Sequence, residues 1–227
     1  MRLILLVGFC FFLFNCEDKQ SKPKTTTSTK TETKTVIKDT TPKREFPKLT
    51  EDNAMDFFLE YEKHNKENKV RITTSFGVID LLLYDKTKFH RANFIFLTKQ
   101  HAFDGTQFHR VVKNFIIQGG NTDDIKVAAK RRKIGKYLLP TDTKRGYTHK
   151  RGVISMPSSD IKNPHKLASP YEFFITQQNA FHLNGDFTVF GEVIKGMNVV
   201  DKINAVKVDE ADWPLSNVYI KTVEILE

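Results

Sequence analysis

Cysteine is nearly absent from this chain. Its 227 residues include two, Cys10 and Cys16, and none after position 16. From residue 17 onward there is therefore no disulfide, no thiolate nucleophile and no cysteine-ligated zinc site. The seven histidines do not fill that gap. His90, His101, His109, His149, His165 and His182 are scattered and show no HExxH-type pairing. Neither a metal nor any other cofactor is expected. Long apolar runs are missing too: the longest, residues 3–14, is too short to span a bilayer as a helix. Acidic residues are outnumbered, 27 against 36 Lys and Arg, for a net charge of +9. A basic balance can serve nucleic acid, a membrane surface or plain solubility, and the location of the charge decides.

The short apolar run follows Arg2, which fits a signal peptide over residues 1–15. Its end, LFNC at 13–16, resembles a bacterial lipoprotein processing site. The resemblance implies that Cys16 is lipidated and becomes the mature N-terminus, with more than one acyl chain for stable attachment. The chain is then expected outside the cytoplasm, anchored in a bacterial cell envelope. Residues 16–48 are rich in Thr and Lys, with few side chains that could form a core, and read as a flexible tether. Nine basic and five acidic residues fall between 17 and 48, a net of +4. Much of the basic excess thus belongs to the tether, and no nucleic-acid partner is expected.

Residues 49–69 read as a helical extension of about four turns, with Thr50 as its cap and Ala54, Phe57, Phe58 and Tyr61 on one stripe that packs on the domain. From Val70 the period changes. VRITTSFGVIDLLLY reads as a hairpin turning at Phe76-Gly77. Residues 89–100 are helical, and GVISM, EFFIT, FTVFGEVI and VYIKTVEIL are further strands. GMNVVDKINAV reads as a second internal helix. Residues 123–151 are lysine-rich and irregular, with AAKRRK a short exposed turn. Many short strands with two internal helices point to a closed or nearly closed mainly-β barrel.

One stretch poses a chemical question. FHRVVKNFIIQGG, residues 108–120, sets Arg110 among aromatic and aliphatic residues, and charges are almost never fully buried unless paired. On a strand, positions 110, 116 and 118 share a face. Phe115 has the other parity and needs a local irregularity at Lys113-Asn114 to join them. The stretch resembles the signature of the cyclophilin-type peptidyl-prolyl isomerases. RITTSFGVIDLLLY, ANFIFLTKQHAFDGTQFHR, RGVISM, EFFIT and FHLNGDFTVFGEVIKGMNVVDKI follow in that family's order, over residues 70–227. The resemblance implies an eight-stranded antiparallel β-barrel capped by two helices, here with the N-terminal helix added. It also implies a monomer that acts on proline-containing polypeptides.

The chemistry suits those residues. An X-Pro bond isomerises over tens to hundreds of seconds against a barrier of about 18–20 kcal/mol set by amide resonance. Twisting it frees the lone pair of the proline nitrogen, so a donor aimed at that nitrogen and an apolar slot for the ring suffice. By resemblance, Arg110 is the donor, and Gln118 orients it and contacts substrate backbone. Phe115, Ile116, Phe174 and Leu183 line the slot, with Val112, Phe173, His182 and Phe187 at its periphery. Glu172 stands where the family usually has a neutral Gln, and is expected to pair with Arg110. The reading is an isomerase that assists the folding of exported proteins. The alternatives are a non-catalytic proline-segment binding module or holdase, which Glu172 keeps open, and an adhesion or polyanion-binding role through the basic cluster at 126–136. That cluster is otherwise a solvated loop face.

Overall fold

The computed structural model describes residues 45–158 and 163–227, and the signal-peptide and lipidation expectations at residues 1–16, with most of the tether, lie outside them. The eight strands are β1 (Lys69–Thr74), β2 (Gly77–Leu83), β3 (Gln107–Val112), β4 (Ile116–Asn121), β5 (Val153–Ser155), β6 (Phe173–Thr176), β7 (Val189–Lys195) and β8 (Val218–Ile225). They close in the order β1-β2-β7-β5-β6-β4-β3-β8, with every pairing antiparallel. The helices are α1 (Ala54–His64), α2 (Lys88–Lys99), α3 (Ile125–Ile134) and α4 (Met197–Asn204).

Alternation writes the barrel. β1 buries every second side chain, as a half-exposed strand must, and β8 buries Val218, Ile220 and Val223, its alternation broken by a register shift against Thr73 and Thr74. Inward residues meet an aromatic interior. Phe94 of α2 stacks on Phe103 at 4.8 Å and meets Phe173 and Phe190 edge-on or tilted at 5.6 Å. The first hairpin turns at Ser75-Phe76, one residue earlier than expected, because Thr74 Oγ1 accepts from Phe76 N–H and donates to the Gly77 carbonyl.

The N-terminal helix is present but shorter than expected, 11 residues. Thr50 does not cap it. Asn53 occupies the cap position and turns its side chain backward, accepting from Thr50 N–H (2.8 Å) and donating to the Lys48 carbonyl (3.0 Å). Its aromatic stripe packs as expected: Phe57, Phe58 and Tyr61 all meet Phe96 of α2 within 6 Å. Arg91 of α2, only 1% exposed, adds polar fastening. It donates to the carbonyls of Asn65 and Glu67 and lies 3.3 Å from the Glu62 carboxylate.

The expectation for the basic cluster fails in one respect: AAKRRK belongs to a ten-residue helix, α3. Asp124 caps it by accepting from Lys126 and Val127 N–H. Val127 and Ile134 are buried beneath it. Arg131 donates to the Ala102 carbonyl (2.9 Å) and covers the Tyr171 ring at 5.0 Å. Charge alone hid an amphipathic anchor of two residues. Gly135 ends the helix where a Cβ would lie 1.9 Å from the Leu49 carbonyl oxygen. Leu49 donates to the Ile134 carbonyl there, and its own carbonyl accepts from Lys136 N–H.

Candidate active site

The site occupies the outer face of β3, β4 and β6. Arg110 lies directly opposite Gln118, and Val112 opposite Ile116, across the β3–β4 ladder. These side chains share a face because the ladder pairs them, not because one strand runs through. Gln118 in turn lies opposite Phe174 on β6. A register shift at His109 resolves the arginine on an apolar strand: Phe108 points into the core, and Arg110, two residues on, points out with 42% of its side chain exposed.

Phe115 joins the face through the hairpin turn, as its parity required. Asn114 takes a left-handed φ of 58°, and Phe115 stacks on the His182 ring at 5.2 Å. Asn204 of α4 clamps this turn. Its Oδ1 accepts from Asn114 N–H (2.8 Å), while its Nδ2 donates to the carbonyls of Val112 (2.8 Å) and Ile116 (3.2 Å). The floor is Ile116 and Phe174, 4% and 3% exposed. Phe187 meets Phe174 edge-on at 5.7 Å, and Leu183 ends the short 3-10 turn Phe181–Leu183 between His182 and Phe187.

Phe173 is not part of this face. It pairs across from Gly119, points into the barrel and packs on Phe94, Phe103 and Phe108 with no exposure. Successive residues of a strand face opposite ways, so Phe174 and Phe173 cannot both line the slot.

Glu172 does not pair with Arg110. Its Oε2 accepts from Gln118 Nε2 at 2.9 Å and lies 3.7 Å from His109 Nε2. Burial holds His109 below its ordinary pKa, so at neutral pH that contact joins a neutral ring to a carboxylate. The carboxylate beside Arg110 is Asp212, with Nη2 to Oδ2 at 3.2 Å. The segment that carries Glu172 is held from behind. Asn93 donates to the Pro170 carbonyl (3.0 Å), Tyr137 donates to Asn93 Oδ1 (2.7 Å), and Tyr171 donates to the Gly135 carbonyl (2.9 Å). Gly120, at φ 103°, lets this segment pass: a Cβ there would lie 2.2 Å from the Tyr171 carbonyl oxygen.

Sequence reasoning missed His149, Asn184, Asn204, Asp212 and Trp213. His149 backs the floor, stacked parallel to Phe174 at 6.0 Å. Asn184 Oδ1 accepts from both the backbone N–H and Nδ1 of His149, so Nδ1 carries the proton and Nε2 accepts from the Ser155 hydroxyl at 3.1 Å. Burial lowers the His149 pKa and favours this neutral form. Asn184 directly follows Leu183, so HLNG was a signal that could have found it, whereas His149, Asn204, Asp212 and Trp213 act from loops or a helix remote in sequence.

The comparisons with known proteins agree with this fold. The family model described as cyclophilin type peptidyl-prolyl cis-trans isomerase/CLD matches residues 69–225, and the chain belongs to that family. It is 36% identical to a "Peptidyl-prolyl cis-trans isomerase-like 2" of Rhizopus delemar over 73% of this chain, which spans 30% of that longer relative. It is also 36% identical to "Peptidyl-prolyl cis-trans isomerase A" of Dickeya dadantii, over 69% of this chain and 80% of the relative. A crystal structure of a Cryptosporidium parvum cyclophilin type isomerase in the presence of the dipeptide Ala-Pro superposes with a TM-score of 0.60. It is 27% identical and covers 70% of this chain and 99% of that one.

Proposed function

We propose that this chain is a peptidyl-prolyl cis-trans isomerase acting on X-Pro bonds of polypeptides. The observation that carries the reading is the Arg110–Gln118 pair beside the apolar floor of Ile116 and Phe174. The proline ring enters over Ile116 and Phe174, between Phe115 and Phe187. The Arg110 guanidinium donates to the proline nitrogen as the bond twists and its lone pair is freed, so the interaction strengthens towards the transition state. No nucleophile or proton transfer is needed. The binding-only alternative rested on Glu172 capturing Arg110, and Glu172 binds Gln118 instead. The test is protease-coupled isomerisation of a short X-Pro peptide. Arg110→Ala is expected to lower kcat/KM by about 10²–10³, and full turnover in that variant would overturn the assignment.

The sequence of the first 48 residues supports a setting: lipidation at Cys16 in a bacterial envelope and a Thr/Lys-rich tether, for an isomerase that helps exported proteins fold. In this reading Cys16→Ser moves the protein from the membrane to the soluble fraction and abolishes labelling by a palmitate analogue. Continued membrane labelling of that variant would reject it.

A further inference from the structure

Arg110 has a partner that the strands do not supply. β8 pairs with β3 only at Gln107 and Phe108, so the edge of β3 beyond them needs another neighbour. The loop 207–215 takes that edge. It is closed on itself: Leu215 N–H donates to the Lys207 carbonyl, Asp209 N–H to the Trp213 carbonyl, and Asp209 Oδ1 accepts from Ala211 and Trp213 N–H. The loop is then stitched to β3 on both sides of Arg110. The Asp212 carbonyl accepts from Val111 N–H at 2.8 Å, and the Trp213 ring packs on His109 at 5.8 Å. Between those two attachments the Asp212 carboxylate meets the guanidinium at 3.2 Å. Asp212 holds a left-handed φ of 63°, a conformation that side-chain-bearing residues adopt seldom and that surroundings must impose.

From this we propose that Asp212 is the positioning residue of Arg110, the part the family resemblance assigned to Gln118. Gln118 faces Arg110 across the ladder, but its amide donates to Glu172. Asp212 accepts from one terminal nitrogen of a guanidinium that carries five donors, leaving the others to reach the proline nitrogen. A guanidinium already held loses less freedom when the transition state forms, so the benefit falls on kcat rather than on substrate binding.

The inference rests on the Arg110 reading above, and the experiment separates the two. Isomerisation kinetics are measured on the full chain bearing Asp212→Asn or Asp212→Gly, alone and with Arg110→Ala. Asn tolerates the left-handed backbone and removes the charge, whereas Gly removes the side chain and relieves the backbone. Each is expected to lower kcat about three- to tenfold with KM within about twofold, without lowering Tm for the Gly variant. With Arg110→Ala, neither is expected to lower kcat further. Unchanged kcat in both single variants, or an equal loss in the Arg110→Ala background, would overturn the assignment of Asp212 alone. Full turnover by Arg110→Ala would overturn both.

Discussion

Gln118 donates its amide to Glu172 at 2.9 Å, although Arg110 stands directly across the ladder from it. A carboxylate only accepts, so it fixes which end of the Gln118 amide faces it: Nε2 towards Glu172 and Oε1 away. In the proposed isomerase that free Oε1 is the acceptor for the substrate's backbone N–H groups.

Glu172→Gln removes that constraint, because two amides can pair in either sense. The expected outcome is a rise in KM of about two- to fivefold, the loss of roughly one hydrogen bond's net contribution, with a smaller change in kcat. Steady-state kinetics on one X-Pro peptide checks it, and a variant with unaltered KM would show that the Gln118 orientation does not matter.

Asn204 makes three hydrogen bonds to the turn that presents Phe115, and is itself 4% exposed. Asn204→Ala is expected to cost about 2–3 kcal/mol of stability, since buried backbone groups lose their partner. Because Phe115 loses its support, kcat/KM should fall as well at temperatures where the variant is folded. Chemical denaturation read beside kinetics makes the comparison; a destabilised variant with normal kcat/KM would mean the turn holds its shape unaided.

His90 of α2 is fully buried, neither ring nitrogen has a hydrogen-bond partner, and burial pushes its pKa from 6.5 down to about 3. The folded state keeps this ring neutral, while the unfolded chain takes up a proton below about pH 6.5. Its contribution to stability is therefore intact above pH 6.5 and drains away as pH falls towards 3. His90→Phe replaces the ring with one of similar size, so Tm measured from pH 7 to 4 should fall less steeply in the variant than in the wild type. Parallel curves would place the acid sensitivity elsewhere.

The barrel could be read from the sequence because it is made of local signals. The alternation of residue types along VRITT, its turn into GVIDLLLY and the helical spacing of residues 89–100 each come from neighbours in the chain. Strand parity puts Ile116 and Gln118 on one face, whereas Arg110 and Phe174 were legible through the family resemblance and join that face across the ladders. Parity failed where the chain departs from a simple strand. The shift at His109 and the opposite facing of Phe173 were invisible until the ladders were known. Glu172 was placed beside the wrong partner because adjacency to Arg110 depends on a loop about 100 residues further on. Asp212, Asn204 and His149 reach the site from such distant segments, and nothing in their own neighbourhoods marks them.

Leu49 is sewn to the end of α3 by two hydrogen bonds, and α1 and the residues after it are pinned to α2 by Arg91, through Glu62, Asn65 and Glu67. Leu49 and α1 both precede the first barrel strand in the chain. A pulling force applied upstream of Phe46 meets the contacts in chain order: first the Phe46 ring on Phe96, then the two-bond stitch at Leu49, then the aromatic seam of α1. The barrel thus sits behind a strain relief, and mechanical load on the N-terminal segment would peel the extension before it could reach the strand that carries Arg110.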